Sequence, residues 1–394
     1  MRGFVTVGLL LLFNNAGQVH AGDQLPTEAD VRKSIERGLP FVEKDGLAWI
    51  KRRDCMSCHT VTFMLWAHTE AKSHGIAVDE KKLAEWTKWS LDKSLATRVF
   101  FKLDDKAIKA APEAIRPKLG KLLDENFTHE KDLVAALAKA LTPDELKQHL
   151  SVLVKQAATS KKVEGNDGGG LDTMAQLFLA RDRGDQDKSS NFYASTADLI
   201  VRMQDPAGTW KAGGQLPSRR WSRPTADQTT TMWTILALST YDQSNPAVKK
   251  SVDKAHAAVK KPQGDGNLEW LVARVLYEHQ FGTPEQKATT KEQLLKRQNP
   301  DGGWGVLPNA KSDAFSTGQS LYALCSVRSA DTDADIRRGQ KFLLDTQNPD
   351  GSWTVFPGLT SNGGPDRLKK LEPIWKNWGS SWAVIGLAKS LPQK

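Results

Sequence analysis

The stretch RRDCMSCHT, residues 52–60, contains two cysteines with two residues between them and a histidine directly after the second. Three chemistries use cysteines at this spacing: a redox dithiol, half of a zinc site, and covalent attachment of haem. A redox dithiol belongs to a strand-containing thioredoxin-like unit, and structural zinc takes four protein ligands. The chain shows no strand pattern, and its third cysteine, Cys325, lies far away in an apolar segment. Both facts weigh against the first two chemistries.

Haem attachment needs only residue types that this stretch contains. Cys55 and Cys58 offer thiols for two thioether bonds, and His59 offers an imidazole for the iron. Through these three residues the stretch resembles the c-type cytochromes, and the resemblance implies one covalent haem c per chain with His59 as the proximal ligand. The sixth iron position stays open between Met174 and no protein ligand, and an open position would favour ligand or peroxide chemistry.

The N-terminus, MRGFVTVGLLLLFNNAGQVHAG, has a positive start, a short apolar run and small residues before a cleavage point after Ala21. This is the pattern of a secretory signal peptide. The apolar run is shorter than the roughly 20 residues that span a bilayer, and no later segment is longer. The sequence therefore predicts an exported, periplasmic protein without a transmembrane segment, soluble after cleavage.

Composition narrows the class of protein further. The chain has 394 residues, of which 39% are hydrophobic and 26% charged, so it is globular rather than disordered. Three cysteines are too few for a disulfide framework. The net charge of +9 favours an acidic partner, here an acidic redox protein, although lysines spread over amphipathic helices would give the same charge. No nucleic-acid-binding module is present.

An internal repeat organises the C-terminal half. RQNPDGGWGV (297–306) and TQNPDGSWTV (346–355) are nearly identical, and MQDPAGTW (203–210) is a third copy. Weaker copies occur at 164–172 and 262–270. Each copy follows an amphipathic segment and precedes a more apolar one, which predicts a helix–turn–helix unit.

Six such units can be placed along the chain, with an outer, amphipathic helix followed by an inner, apolar one. The predicted outer helices lie near 27–44, 142–158, 191–203, 246–260, 284–297 and 333–346. The predicted inner helices lie near 59–73, 171–182, 226–241, 267–281, 313–328 and 379–391. Either a closed ring or an open solenoid would bury the apolar members.

The last repeat carries a specific resemblance. Arg338-Gly339, Phe342-Leu343, Gln347, Gly351 and Trp353 resemble the Gln-Trp repeat of squalene-hopene cyclases and their prenyltransferase relatives. The resemblance implies an all-α (α/α)6 toroid in which the glutamine and tryptophan tie adjacent outer helices together.

The predicted organisation has four parts. They are a signal peptide (1–21), a first helix pair with the haem motif (22–74), a helical insertion with the second outer helix (75–160), and repeats that close the toroid (161–394).

The cyclase and prenyltransferase activities do not fit these residues. The nearest acidic motif, Asp331 to Asp335, has Ala334 where the cyclase motif has an acid, and 312–315 lacks the cysteine of a prenyltransferase zinc site. We therefore expect an exported haem protein that transfers electrons at the barrel end. Two alternatives stay open: a haem enzyme acting on a hydrophobic, terpenoid-like molecule in a tryptophan-rich cavity, and a non-haem toroid binding protein with a CxxC dithiol.

Overall fold

The computed structural model describes residues 25–52, 60–95, 98–99, 101–123, 125–127, 130–158, 162–163, 171–181, 190–212, 221–241, 244–355 and 364–392. The predicted signal peptide, residues 1–21, and the motif residues Cys55, Cys58 and His59 lie outside the described residues. Within the described ranges no helix is long and apolar enough to cross a membrane.

Two sets of six helices form the main body. The inner helices are α2 (Val61–Ser73), α8 (Leu171–Leu179), α10 (Arg223–Ser239), α12 (Leu268–Phe281), α14 (Ala314–Ser326) and α16 (Gly364–Ser390). The outer helices are α1 (Glu28–Arg52), α3 (Glu80–Leu95), α9 (Ser190–Arg202), α11 (Pro246–Val259), α13 (Pro284–Leu295) and α15 (Asp333–Thr346).

The inner helices are buried on nearly every side because their sequences are apolar or small throughout. In α14, AFSTGQSLYALCS, every residue from Ala314 to Leu321 is buried. A helix without a polar face is stable only when other elements surround it. The outer helices are amphipathic instead: α15 buries only Ile336, Gly339, Gln340 and Leu343 and exposes its charged residues.

The inner helices form a closed ring. Each contacts the next in the order α2, α8, α10, α12, α14 and α16, and α16 contacts α2. Among the outer helices, α1 contacts α15, so the first and the last outer helix meet. The prediction of an all-α (α/α)6 toroid is confirmed, and the open solenoid is excluded.

The second outer helix differs from the prediction. It is α3, whereas residues 142–158 form α7 (Pro143–Ala158) in an insertion with its own core. The insertion also contains α4 (Asp105–Ala110), α5 (Arg116–Leu119), α6 (Glu130–Ala140), a 3-10 turn (Gly120–Leu122), and the two-residue strands β1 (Arg98–Val99), β2 (Phe101–Lys102), β3 (Asn126–Phe127) and β4 (Lys162–Val163). The apolar face of α7 packs in this smaller core, and an amphipathic pattern does not reveal which partner will cover it.

The Gln-Trp turn joins neighbouring outer helices, as predicted. In the last repeat the indole Nε1 of Trp353 donates to the carbonyl of Leu343, at 2.7 Å, at the end of α15. Gln347 Nε2 donates to the carbonyl of Ser34 in α1 at 3.0 Å, and Ser34 Oγ donates to Gln347 Oε1 at 2.9 Å. Because Ser34 lies 313 residues earlier, these bonds close the ring.

The same contacts recur in the internal copies. Gln298 Nε2 donates to the carbonyl of Asp335 at 2.8 Å, and Gln204 Nε2 donates to the carbonyl of Ser251 at 2.8 Å. Trp304 and Trp210 each donate their indole N–H to a carbonyl of the preceding outer helix. The same turn therefore joins neighbouring outer helices at three places around the ring.

Candidate active site in the toroid lumen

The space enclosed by the inner helices, here called the lumen, is blocked at mid-height by an aromatic plug of Trp66, Trp233, Tyr322 and Trp382. The ring centroid of Trp66 lies 6.1 Å from that of Trp233, 5.3 Å from that of Tyr322 and 5.1 Å from that of Trp382. Since α10 and α14 are not ring neighbours of α2, these contacts run across the centre of the lumen. Edge-to-face packing of this kind stabilises the plug beyond simple burial.

A cavity of about 730 Å³ lies on the side of the plug formed by the C-terminal ends of the inner helices. Its lining includes Trp233 and Tyr322 of the plug, and Leu179, Leu276 and Ser326 near the ends of their helices. We call it the C-terminal cavity. These lining residues mark which face of each inner helix points into the lumen.

Two carboxylates lie on that face at the opposite, N-terminal end. Asp172 is seven residues before Leu179, and Glu269 is seven residues before Leu276. Seven residues are about two helical turns, so each acid shares the lumen face of its cavity-lining partner. Both are buried, with 3% of Asp172 and 2% of Glu269 exposed. Glu269 stands on α12 and Asp172 on α8, on either side of α10.

Hydrogen bonds between helices hold both acids in place. Asp172 Oδ1 accepts from the hydroxyl of Thr230 at 2.8 Å, which joins α8 to α10. Glu269 Oε2 accepts from the indole N–H of Trp221, which stands just before α10. Each acid is the second residue of its helix, where the positive end of the helix dipole favours a carboxylate.

Neutral polar side chains complete this level of the lumen. Thr62 Oγ1 donates to Gln176 Oε1 at 2.8 Å, joining α2 to α8. Gln319 lies seven residues before the cavity-lining Ser326 and is 2% exposed. We call the complete set the polar belt: Thr62, Asp172, Gln176, Thr230, Glu269 and Gln319.

Several buried polar atoms of the belt and the plug lack hydrogen-bond partners among the described residues. They are Gln176 Nε2, Gln319 Oε1, Trp66 Nε1 and Trp382 Nε1. Native proteins pair about nine-tenths or more of their buried polar groups with protein or ordered water. A cluster of unpaired groups on four inner helices is therefore typical of a region that holds water or a polar ligand.

The predicted cofactor site cannot be placed in the same detail. Cys55, Cys58 and His59 lie outside the described residues, between the end of α1 at Arg52 and Val61, the first residue of α2. Met174 is fully buried on α8, between the belt residues Asp172 and Gln176. The predictions that these residues bind haem and its iron stay predictions.

Sequence reasoning missed the two carboxylates because both lie in the weak copies of the repeat. Asp172 ends the copy at 164–172, and Glu269 belongs to the copy at 262–270. In the copy at 262–270, Gly266 has the positive φ that Gly302 has in a strong copy, and Leu268 stands where Trp304 stands, so Glu269 follows that position by one residue. An acid as the second residue of an otherwise largely apolar inner helix is the signal that could have identified both.

Comparison with known proteins supports the toroid. No family model and no curated protein matches the chain. Among solved structures, the chain superposes on a wild-type glycosidase with a TM-score of 0.53 at 12% identity, covering 93% of this chain and 98% of the other. A substituted glycosidase in complex with glucose gives a TM-score of 0.51 at 12% identity with the same coverage. At this identity the likeness shows a shared fold.

These matches correct the predicted relationship and function. The resemblance to squalene-hopene cyclases, prenyltransferases and c-type cytochromes is wrong as an assignment, since the chain superposes over 93% of its length on glycosidases. The predicted electron transfer by haem is likewise wrong, and so are its alternatives of a terpenoid-directed haem enzyme and a dithiol binding protein. The family resemblance misled because the glutamine and tryptophan of the turn join outer helices, which indicates a toroid but does not indicate which reaction the protein catalyses.

Proposed function

We propose that the chain is a carbohydrate-active enzyme, a glycoside hydrolase whose substrate binds in the N-terminal half of the lumen. Asp172 and Glu269 are its carboxylate pair. The observation that carries the proposal is the presence of two buried acids on the lumen face of α8 and α12, within a fold shared with glycosidases. The glucose bound to one of those glycosidases agrees with this substrate class.

Hydrolysis of a glycosidic bond needs two carboxyl groups with different tasks. One protonates the leaving oxygen, and the other either activates water or attacks the sugar directly. Asp172 and Glu269 are positioned by different partners, the hydroxyl of Thr230 and the indole of Trp221. Separate acid and base roles require two carboxyl groups in different surroundings, and the hydrogen-bond partners of these two differ.

The rest of the belt and the plug match the other needs of a sugar. A sugar presents hydroxyl groups around its rim and an apolar face of C–H groups. The amide groups of Gln176 and Gln319 offer both donors and acceptors, and each has an atom without a partner among the described residues. The plug beneath them offers aromatic surface, and ligand sites commonly combine such surface with a few convergent polar groups.

The decisive experiment is hydrolysis of a panel of p-nitrophenyl glycosides and oligosaccharides, followed by chromophore or reducing-sugar release. Asp172→Asn and Glu269→Gln keep the size of each side chain and one oxygen that can accept from Thr230 or Trp221, while removing its acidity. We expect each to lower kcat at least about 10³-fold, with an unchanged thermal midpoint.

Asp313→Asn is the matched control. Asp313 caps α14 at the same end of the toroid, and its side chain accepts from Ser316 N at 2.7 Å. Asparagine caps equally well, and residue 313 lies off the lumen face, so activity should be retained. Activity that survives both lumen substitutions would refute the proposal. So would a panel that is neither hydrolysed nor bound by isothermal calorimetry.

The cofactor and export predictions are separate from hydrolysis and have their own tests. A pyridine haemochrome spectrum of protein made with haem-maturation machinery tests attachment at Cys55, Cys58 and His59, and Met174→Ala tests the sixth ligand by its spectral shift. The intact mass of the secreted protein tests cleavage after Ala21. No step of the proposed hydrolysis uses the haem, and the acidic redox partner has no place in this function.

A further inference from the structure

The C-terminal cavity is separated from the proposed sugar site by the aromatic plug. The plug residues Trp66 and Trp382 are 1% and 0% exposed, and the cavity volume is about 730 Å³, within the usual range for a site that holds a drug-sized molecule. A ligand here would enter from the end of the toroid opposite to Asp172 and Glu269. The cavity is thus a second compartment with its own lining.

Two cations line this compartment, and no carboxylate is among its described lining residues. Lys389 Nζ lies 3.1 Å from Glu70 Oε1 and 5.8 Å from the ring centroid of Tyr322. Arg328 Nε donates to Asp333 Oδ1 at 2.8 Å, and its Nη1 donates to the carbonyl of Ser390 at 3.3 Å. An ammonium has three N–H donors and a guanidinium five, so both groups retain donors beyond these contacts.

The C-terminal ends of six helices present carbonyl groups here, and those would repel an anion. Side chains from the same end offset them. Arg181 Nη2 donates to the carbonyl of Thr240 at the end of α10, and Arg328 donates to that of Ser390 at the end of α16. Arg328 and Lys389 are each paired with a carboxylate, Asp333 and Glu70, so what they offer a ligand in the cavity is further N–H donors.

We propose that the C-terminal cavity binds a flat, largely apolar molecule that carries one anionic group, a carboxylate or sulfonate. Its apolar body packs on Trp233 and Tyr322, and its anionic group accepts hydrogen bonds from Arg328 and Lys389. Thr240 and Gln280 supply neutral hydrogen-bonding groups at the rim. Neither the shared fold nor the proposed hydrolysis accounts for this compartment.

The test uses 8-anilinonaphthalene-1-sulfonate as the probe and N-phenyl-1-naphthylamine, which lacks the sulfonate, as its neutral counterpart. We expect the anionic probe to bind one per chain by fluorescence titration and calorimetry. Arg328→Gln should weaken its binding about tenfold, because a charge-assisted hydrogen bond is lost, and should leave the neutral probe unaffected. Gln280→Trp, at an exposed position on the rim, should block both probes.

Arg337→Gln is the matched control, since it removes the same charge from an exposed residue that does not line the cavity. It should change neither affinity, and Asp172→Asn should leave probe binding intact whether or not the chain hydrolyses glycosides. Equal binding of the anionic probe to the wild type, Arg328→Gln and Gln280→Trp would overturn the proposal. So would equal losses of both probes in Arg328→Gln.

Discussion

Two glycines with the same backbone conformation provide a direct test of ring closure. Gly351 in the last Gln-Trp turn and Gly266 in a weak copy both have φ near 83°. A Cβ added to Gly351 would lie 2.0 Å from the carbonyl oxygen of Arg37 in α1, whereas one added to Gly266 would meet nothing within 4 Å. Alanine at Gly266 therefore experiences only backbone strain, and alanine at Gly351 experiences strain and a collision across the ring closure.

The magnitudes follow from these contacts. Left-handed backbone costs a residue with a Cβ roughly 1–2 kcal/mol, which is the whole expected effect of Gly266→Ala. In Gly351→Ala the turn must also retreat from α1, and two hydrogen bonds between Gln347 and Ser34 would stretch or break. At about 1 kcal/mol for each bond, the total becomes roughly 3–4 kcal/mol.

Differential scanning calorimetry separates the two variants. For 394 residues the entropy of unfolding is about 0.8 kcal/mol/K, so the thermal midpoint should fall by about 1–3 °C in Gly266→Ala and by about 4–5 °C in Gly351→Ala. Gly302→Ala provides the reference for the same collision inside the ring, because its Cβ would lie 2.6 Å from the carbonyl oxygen of Arg338 in α15. If the thermal midpoint of Gly351→Ala were no lower than that of Gly266→Ala, α1 would not contact the last turn, and the closed toroid would be refuted.

Three further predictions concern single side chains. Gln347→Ala should cost about 2–3 kcal/mol in urea unfolding, since Gln347 makes three hydrogen bonds, and an effect below 1 kcal/mol would contradict its closing role. Hydrogen bonds from Ser352 and Lys376 lower the pKa of Asp350 to about 2 from 3.8, so its stabilisation is complete above about pH 4 and is lost as pH falls towards 2. Thermal midpoints of the wild type and Asp350→Asn should therefore converge at pH 2, and a gap independent of pH would oppose this. Burial raises the pKa of the Cys325 thiol to about 12, so little thiolate exists at pH 8, and iodoacetamide should alkylate this cavity-lining residue much more slowly in the folded chain than in the unfolded one, as intact mass can check.

Most helices beside strong turn copies could be predicted from the sequence to within about three residues, but α16, predicted at 379–391, begins 15 residues earlier, at Gly364. The predicted inner helix at 313–328 is Ala314–Ser326, and the predicted outer helix at 333–346 is Asp333–Thr346. Asn-Pro-Asp-Gly ends one helix, and a capping residue such as Asp313 begins the next, so both boundaries are encoded locally. The placement of 142–158 failed because its apolar face specifies burial but not the partner that buries it.

The candidate site could not be predicted in the same way, because it exists only after the ring closes. Asp172 and Glu269 are 97 residues apart in sequence, and each is preceded by a glycine-rich stretch that is typical of a turn. Their spacing from Leu179 and Leu276 has meaning only when those residues are known to line the lumen. A sequence motif consists of residues that are close in sequence, so the functional prediction was based on CMSCH, residues 55–59, instead.

The strong and weak copies of the turn differ in the bonds that their tryptophans make, and the candidate acids follow weak copies. The strong copies before α10, α14 and α16 each use a tryptophan N–H to bond the preceding outer helix. In the weak copy before α12, Leu268 stands where the strong copies have their tryptophan, two residues after the glycine with positive φ, and Trp270 donates instead to Gln228 of α10 at 2.8 Å. Proteins depart from their own structural rules mainly at functional sites, where neighbouring elements supply the lost stability. The two buried acids, Asp172 and Glu269, both stand on inner helices that follow weak copies of the turn in the sequence, whereas the strong copies precede α10, α14 and α16.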